Sequence, residues 1–402
     1  MLTLEEAHRR LLARAHPAAT ETVGLADAAA RVLADPKVIA AVDVPAFANS
    51  AMDGFAVRAS DTPGALRVTG EVLAGAGELP TIEPGAAARI MTGAPLPPGA
   101  DAVVPIEEAD ERDGRLVITV SALSGQHVRA AAHDTRSGDE VCLPGMLTAP
   151  QVAVLASLGA GSVEVRRRPR ISIMSTGDEL VGPGEPLGPG QIHDANSIAL
   201  AAAVTEAGGE QLLLSREPDE ETRIEHALAD AAARADLIVT SGGVSVGERD
   251  YVRAVLERRG SLDFWRIAVQ PGKPLAVGEI DGTVVVGLPG NPVSALVTFE
   301  LFVRPYIRTM LGLLGDGRLH VRARPETRIE KDVARRAFLR VSVYHEDGEI
   351  HARSVGGQLS SQLRTMADSN ALLIVPEGDA AAELDGWYEA IMFEPLKLHS
   401  WR

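Results

Sequence analysis

The 402-residue chain is short of cysteine, of aromatic rings and of long apolar runs, and each shortage excludes something. A single cysteine, Cys142, rules out an intrachain disulfide framework and any thiolate metal cluster. Its neighbours Val141 and Leu143 are apolar, so Cys142 is expected to be a buried structural thiol. Aromatic residues are 3% of the chain, so the cores must be filled by Ala, Val, Leu and Ile. No apolar run approaches the about 18 residues of a membrane span, and Met1-Leu2-Thr3-Leu4-Glu5-Glu6 lacks the basic and apolar regions of a secretory leader. A cytoplasmic protein with no membrane association is expected. Positive charge is also in deficit: 39 basic against 55 acidic residues leave −16, which argues against a nucleic-acid partner. No block of like charges forms a tail, so the acidic excess serves solubility.

What is present suffices for several cores. The hydrophobic fraction is 46%, and the length suggests about two to four domains. Thr3 and Glu6 form a capping-box pattern that starts a helix running to Leu12. An Ala-rich stretch, Leu25 to Leu33, reads as a second helix. From Val44 to Val141 the pattern becomes short β-like runs broken by Gly and Pro, and Thr148 with Gln151 signals another helix that stops at Gly159. After the boundary Arg166-Arg167-Arg168-Pro169, strands (170–174, 211–214, 236–239, 283–286) alternate with helices (197–207, 220–234, 251–258, 292–310). Alternation with apolar strands implies a parallel, doubly wound sheet covered on both faces. Strands return at 319–324, 338–344, 350–353, 371–375 and 388–393 as a small β-barrel or sandwich. The expected architecture is α/β plus β. Residues 1–45 with 142–168 form an N-terminal helical or extended linking domain, 46–141 an inserted β domain, 169–314 the α/β domain and 315–402 the C-terminal barrel.

Ligands of doubly wound sheets bind beyond the carboxyl ends of the strands. That rule puts Thr176-Gly177-Asp178-Glu179, Ser241-Gly242-Gly243 and Leu288-Pro289-Gly290-Asn291 along one edge. The stretch Asp236 to Asp250, DLIVTSGGVSVGERD, runs from a buried strand through a glycine loop into a helix expected near Glu248. Such a loop can approach an anion closely, because glycine uncovers the backbone and helix starts carry free N–H donors. It has neither a Walker lysine nor G-x-G-x-x-G. Asp178 and Glu179 either begin a helix, where negative charge is favoured, or hold a divalent cation, since Mg²⁺ takes one or two carboxylates plus phosphate oxygens. Asp250, in a first helical turn, has the same two readings. Lys273 stands on a stiff loop, Gln270-Pro271-Gly272-Lys273-Pro274, where it is better placed for an anion than an idle surface lysine. Gly287 to Ser294 opens a helix N-terminus with Pro292 near its first turn. Asp53-Gly54 taken alone is a turn signal, and Ile90 to Pro97 taken alone is a plain loop.

Taken together, NSAMDGFAVR, IMTGAPLPPGADAVVP, STGDEL, TSGGVSVGERDY, PGKP and GLPGNPVSA resemble, in this order and over essentially the whole chain, the MoeA family of molybdopterin molybdenumtransferases, which includes the E domain of gephyrin. The resemblance implies that the α/β domain is molybdopterin-binding-like and that the subunit acts in an elongated homodimer. Its substrates would be molybdate and adenylated molybdopterin, with Mg²⁺-dependent release of AMP. It also implies a site between the α/β domain of one subunit and the β insertion of the other. The catalytic set would be Asp53, Thr92, Glu179, Asp250 and Lys273, with Glu179 and Asp250 on Mg²⁺. Substrate would be held by Ser50, Asp134, Thr176, Gly177, Asp219, Gly242, Gly243, Ser245, Arg266, Pro289, Gly290, Asn291 and Ser294. A pterin-adenylating enzyme and acceptor molybdoenzymes are the implied partners.

The chain departs from the family pattern in places. Gln270 stands where a lysine is frequent, Ala132-His133-Asp134 replaces Gly-Glu-Asp, and Phe55 replaces a tyrosine. The charge lost at Gln270 could be restored by Arg335, Arg336 and Arg340, unless these form a solvated strand edge. Two other readings remain: a paralogue specialised for tungstate, and a non-catalytic molybdopterin-binding scaffold.

Overall fold

Thr3 starts the first helix, Leu4–Leu12, by accepting the Glu6 N–H at 3.3 Å. The Glu6 carboxylate turns to Arg9 and Arg10. The computed structural model describes residues 1–75, 77–244, 250–395, 397 and 398. It divides into two compact units, residues 22–165 and residues 1–21 with 166–402.

In the unit 22–165, the strand Gly54–Val57 shows how the sheet is built. Phe55 and Val57 join Leu66, Ala87, Val104 and Leu116 in one apolar cluster, while Ala56 joins Val72, Ala88, Ile90 and Val103 in another. Alternate strand residues face opposite sides, and both sides are covered, so all four residues are buried. The six-stranded sheet runs Ala102–Pro105, Gly54–Val57, Ala86–Ile90, Gly64–Val72, Arg115–Ile118, Ala109–Arg112. The Ala149–Ser157 helix opens with the expected capping box, in which Gln151 accepts the Thr148 N–H at 2.8 Å.

Two sequence expectations fail in this unit. The helix over 25–33 is replaced by a 3₁₀ turn, Leu25–Asp27, and by backbone pairing. Ala30 has φ 58°, a left-handed conformation that ends a helix. Its N–H donates to the Leu147 carbonyl at 2.9 Å, and Leu33 bridges Val165. Burial of Ala28 and Leu33 against Leu143, Leu147 and Leu155 overrides the helical preference of alanine. Cys142 is exposed, not buried. It ends the strand Glu140–Cys142, where the alternation turns Val141 to the cluster and Cys142 to solvent.

In the other unit the central sheet runs Glu210–Glu217, Arg170–Thr176, Leu237–Ser241, Thr283–Leu288, Ala276–Ile280, Ser261–Trp265. The first four strands are parallel neighbours, as expected. The last two are antiparallel, so the sheet is mixed. The hairpin that adds Ala276–Ile280 turns through Asp281 and Gly282, both at positive φ. Helices Glu221–Ala232 and Tyr251–Arg259 pack together over Met174, Ile238 and Val285. Helix Ala195–Glu206 packs with the Pro292–Met310 segment, and that segment is interrupted by a π-helical stretch, Phe299–Val303. The sheet is thus doubly wound.

Beyond it the chain forms a closed five-stranded barrel. Arg336–Glu346 pairs with both Glu349–Ser354 and Ala371–Val375, and Leu319–Pro325 and Tyr388–Met392 complete the ring. Leu339, Val341, Val343, Ala352 and Leu373 fill it. Among the described residues no helix is long and apolar enough to cross a membrane.

Candidate functional site

The parallel register brings the three glycine loops to one level. Ser175 lies opposite Ser241, and Ser241 opposite Leu288, so the chain leaves each strand at the same edge. The loops are braced through bare backbone. The Gly242 N–H donates to the Leu288 carbonyl at 3.1 Å. Gly242 has φ 97°, and a Cβ there would lie 2.8 Å from Thr176 Oγ1 and 2.9 Å from the Thr176 carbonyl oxygen. Only glycine fits that approach. A Cβ on Gly177 would meet the Glu179 carboxylate at 2.5 Å, so Glu179 folds back over its own loop. Asp178 and Glu179 start no helix; a short strand pair, Leu180–Val181 with Ile192–His193, follows them.

Buried hydroxyls crowd this edge. Ser175 Oγ, Thr176 Oγ1 and Thr240 Oγ1 have no hydrogen-bond partner among the described residues, nor does Asp194 Oδ2. Buried polar atoms without partners are uncommon. A cavity of about 120 Å³ opens here between Ser175, Thr176, Glu179, Asp194, Asn196, Ser241 and Gly290. Beside it, a larger hollow of about 570 Å³ is lined by Asp178, Glu179, Gly190 and Asp219, with Asp178 Oδ1 accepting the Asp219 N–H at 3.0 Å. Glu179 and Asp219, 40 residues apart in sequence, therefore share one hollow.

Three residues of this edge were not singled out individually from sequence. Asp194, 1% exposed, caps the Ala195–Glu206 helix by accepting the Ser197 N–H at 3.0 Å. Asn196 donates to Ser241 Oγ and to the Gly290 carbonyl, both at 2.8 Å. Ser241 is the acceptor in the first of these bonds. The signal for Asp194 was present, an N-cap aspartate after a short strand; that for Asn196 was not.

Asp250 occupies the N-cap of the Tyr251–Arg259 helix. That start is tied to the glycine loop through the Arg253 N–H, which donates to the Gly243 carbonyl at 3.3 Å. Ser245 and Glu248 lie outside the described residues. Lys273 is exposed, and its carbonyl accepts the Ile267 N–H at 3.0 Å. Arg266 sits at φ 82°, with its N–H on the Leu275 carbonyl. Pro289 is buried and Gly290 exposed; Asn291 stands at the N-cap position of the Pro292–Thr298 helix without a side-chain capping bond among the described residues, and Ser294 is buried within it.

Of the three barrel arginines that could restore the charge at Gln270, two are paired with acids and one is buried. Arg335 pairs with Asp332 at 2.6 Å, and Arg336 with Glu5 and Glu377. Arg340 is fully buried, donating to Thr365 Oγ1 and to the Gly357 and Leu359 carbonyls. Gln270 itself is a structural residue, since its Oε1 accepts the Asp332 N–H at 2.9 Å.

The unit 22–165 carries its own candidates. Asp53 Oδ1 accepts both the Thr92 N–H at 2.6 Å and the Thr92 hydroxyl at 2.7 Å. These two bonds, the backbone one first, hold the Asp53 carboxyl below its ordinary pKa. Ser50 is buried, and its hydroxyl donates to the Met52 carbonyl at 2.5 Å. Asp134 is exposed and accepts weakly from Thr135 at 3.4 Å. Among the described residues, no three His, Cys, Asp or Glu side chains gather as a metal-holding group.

Family models match nearly the whole chain: the MoeA N-terminal region (domain I and II) at residues 2–159, a probable molybdopterin binding domain at 172–309, and the MoeA C-terminal region (domain IV) at 322–383. The chain is 40% identical over 385 residues to molybdopterin molybdenumtransferase 2 of Mycobacterium tuberculosis, covering 92% of this chain and 94% of that one. The chain belongs to the MoeA family. It is 39% identical to the molybdopterin molybdenumtransferase of Haemophilus influenzae, over 98% of this chain and 99% of that one. Two solved structures of a MoeA protein from Pyrococcus horikoshii superpose with TM-scores of 0.85 and 0.82, at 32% and 28% identity, each covering 98% of this chain and 100% of its own. The MoeA N-terminal match contains Asp53 and Thr92, and the molybdopterin-binding match contains Glu179, Asn196, Asp250 and Lys273.

Proposed function

We propose that this MoeA protein is a molybdopterin molybdenumtransferase of molybdenum cofactor biosynthesis. It would insert molybdate at the dithiolene of adenylated molybdopterin and release AMP. The observation that carries this reading is the braced edge of three glycine loops beside the Glu179–Asp219 hollow, in a chain related to molybdenumtransferases over nearly its whole length. Glycine backbone and an open helix N-terminus suit an anionic substrate, and the exposed Lys273 supplies positive charge.

A magnesium ion fits this edge only as a partner of few protein ligands, because the described residues form no cage of three or more acids. That is the usual state of Mg²⁺ at a phosphate, where one or two carboxylates suffice. Glu179 and Asp250 would hold it, and when bound it offsets phosphate charge as AMP leaves. We infer further that the enzyme is a cytoplasmic homodimer, with Asp53 and Thr92 of one subunit completing the site on the α/β domain of the other. An enzyme that adenylates the pterin must supply the substrate, and molybdenum-dependent acceptor enzymes must take the product.

The test is AMP release from adenylated molybdopterin with Mg²⁺, with and without molybdate. Molybdate-dependent release is expected, and it should be abolished in Asp53→Ala and Glu179→Ala with the fold intact. Absence of release from a folded dimer that still binds the pterin would favour a scaffold instead. Release driven by tungstate in preference to molybdate would identify a paralogue for that oxyanion.

A further inference from the structure

The bond from Asn196 fixes the direction of the Ser241 hydroxyl. The Gly290 carbonyl can only accept, so the Asn196 amide must present its nitrogen there, and its second N–H goes to Ser241 Oγ, both at 2.8 Å. Ser241 Oγ is therefore an acceptor on that side, and its own proton must point elsewhere. Among the described residues the structure gives that proton no acceptor, although Ser241 is 3% exposed and lines the 120 Å³ cavity. The hydroxyl sits at the strand end next to Gly242, in a cavity also lined by Thr176 and Asp194, whose Oγ1 and Oδ2 have no hydrogen-bond partner among the described residues.

We propose that Ser241 donates a hydrogen bond to an oxyanion oxygen of the substrate, and that Asn196 is the positioning residue that sets it to donate. The proposal rests on the transferase reading for the identity of that oxyanion, which is either the adenylate phosphate or molybdate. Asn196 acts twice: its bond to Gly290 holds that loop beside the glycine loop, and its bond to Ser241 occupies the lone pair that would otherwise compete. An aspartate of the same shape at 196 would reverse the second bond. Its carboxylate would accept the Ser241 proton, turning it away from the cavity, and would face the Gly290 carbonyl without a donor.

The experiment titrates wild type, Ser241→Ala, Asn196→Asp and the double variant with AMP and, separately, with molybdate by calorimetry, alongside kcat and KM for AMP release. Each single variant should weaken one of the two anions by about tenfold or more, the range for a hydrogen bond to a charged group. The double variant should lose no more than Asn196→Asp alone, because the Ser241 proton is already turned from the cavity in that variant. Weakened AMP binding assigns the oxygen to the phosphate, and weakened molybdate binding assigns it to molybdate. Ser241→Ala keeps the Asn196–Gly290 bond, so its thermal midpoint should stay near that of wild type. Unchanged affinity for both anions in Ser241→Ala, or losses that multiply in the double variant, would overturn the proposal. If the wild type binds these anions yet releases no AMP, the transferase reading fails while the titrations still decide the role of Ser241.

Discussion

Asp53 accepts two hydrogen bonds from a single residue, and that geometry has a pH consequence. Its folded-state pKa lies below the ordinary carboxylate value of 3.8, through the Thr92 N–H first and the Thr92 hydroxyl second. Protons therefore bind the unfolded chain more readily than the folded one. The interaction is fully present above the unfolded value and is lost as pH falls through the lower folded value. Between pH 5 and 8 Asp53 should stay ionised, and no activity change in that window should trace to it. A carboxyl NMR titration should show Asp53 below 3.8 in wild type. In Thr92→Ala it should move part of the way back, because the backbone bond survives. A midpoint unmoved by Thr92→Ala would show that the hydroxyl contributes nothing. The pairing itself was not visible in sequence, where the two residues stand 39 positions apart in separate segments. What could be read was that each segment fell into one family pattern.

At the scale of elements, the clearest departure from the sequence reading lies at 25–33, and it gives a test of opposite sign to the helix it replaces. Ala30 stands at φ 58°, where an L-residue with a Cβ pays about 1 kcal/mol. Ala30→Gly removes that cost against a smaller loss of chain entropy, so it should be neutral or stabilising by up to about 0.5 kcal/mol. In a helix interior the same change would cost about 1 kcal/mol. Chemical denaturation of the two proteins distinguishes the cases. The four parallel strands and the helices between them were legible because their apolar runs and periods leave little choice. The antiparallel strand Ala276–Ile280 was missed although its signal is local: Asp281-Gly282 makes the two-residue turn that pairs it with Thr283–Leu288. Arg340 escaped for a different reason: an arginine in a strand reads as a solvated edge, yet here it is buried and its guanidinium ties down the 357–365 segment. The candidate edge was legible for one physical reason. A parallel sheet must deliver its strand ends to one side, so glycine loops after three strands converge whatever else the chain does. Asn196, which ties two of them, escaped because its role depends on geometry across 45 and 94 residues.

At the scale of the whole molecule, the proposed sharing of the site between subunits makes a quantitative prediction. Asp53 lies in the unit 22–165, and Glu179 in the unit formed by 1–21 with 166–402. If each site takes Asp53 from one subunit and Glu179 from the other, a heterodimer of Asp53→Ala with Glu179→Ala concentrates both lesions in one site. Its other site is intact, because twofold symmetry pairs the unmutated Asp53 of one chain with the unmutated Glu179 of its partner. Equal mixing with free exchange makes about half of the dimers mixed, each with one working site of two, so activity should recover to about one quarter of wild type. The measurement is AMP release after co-refolding or dilution and reconcentration of two variants that are each inactive alone. Sites built wholly within one chain would leave the mixture as inactive as its components, because every subunit would then carry a lesion in its own site. Recovery near one quarter, lost again when the mixture is diluted below the dimer constant, would make the second subunit a chemical participant rather than a passive support.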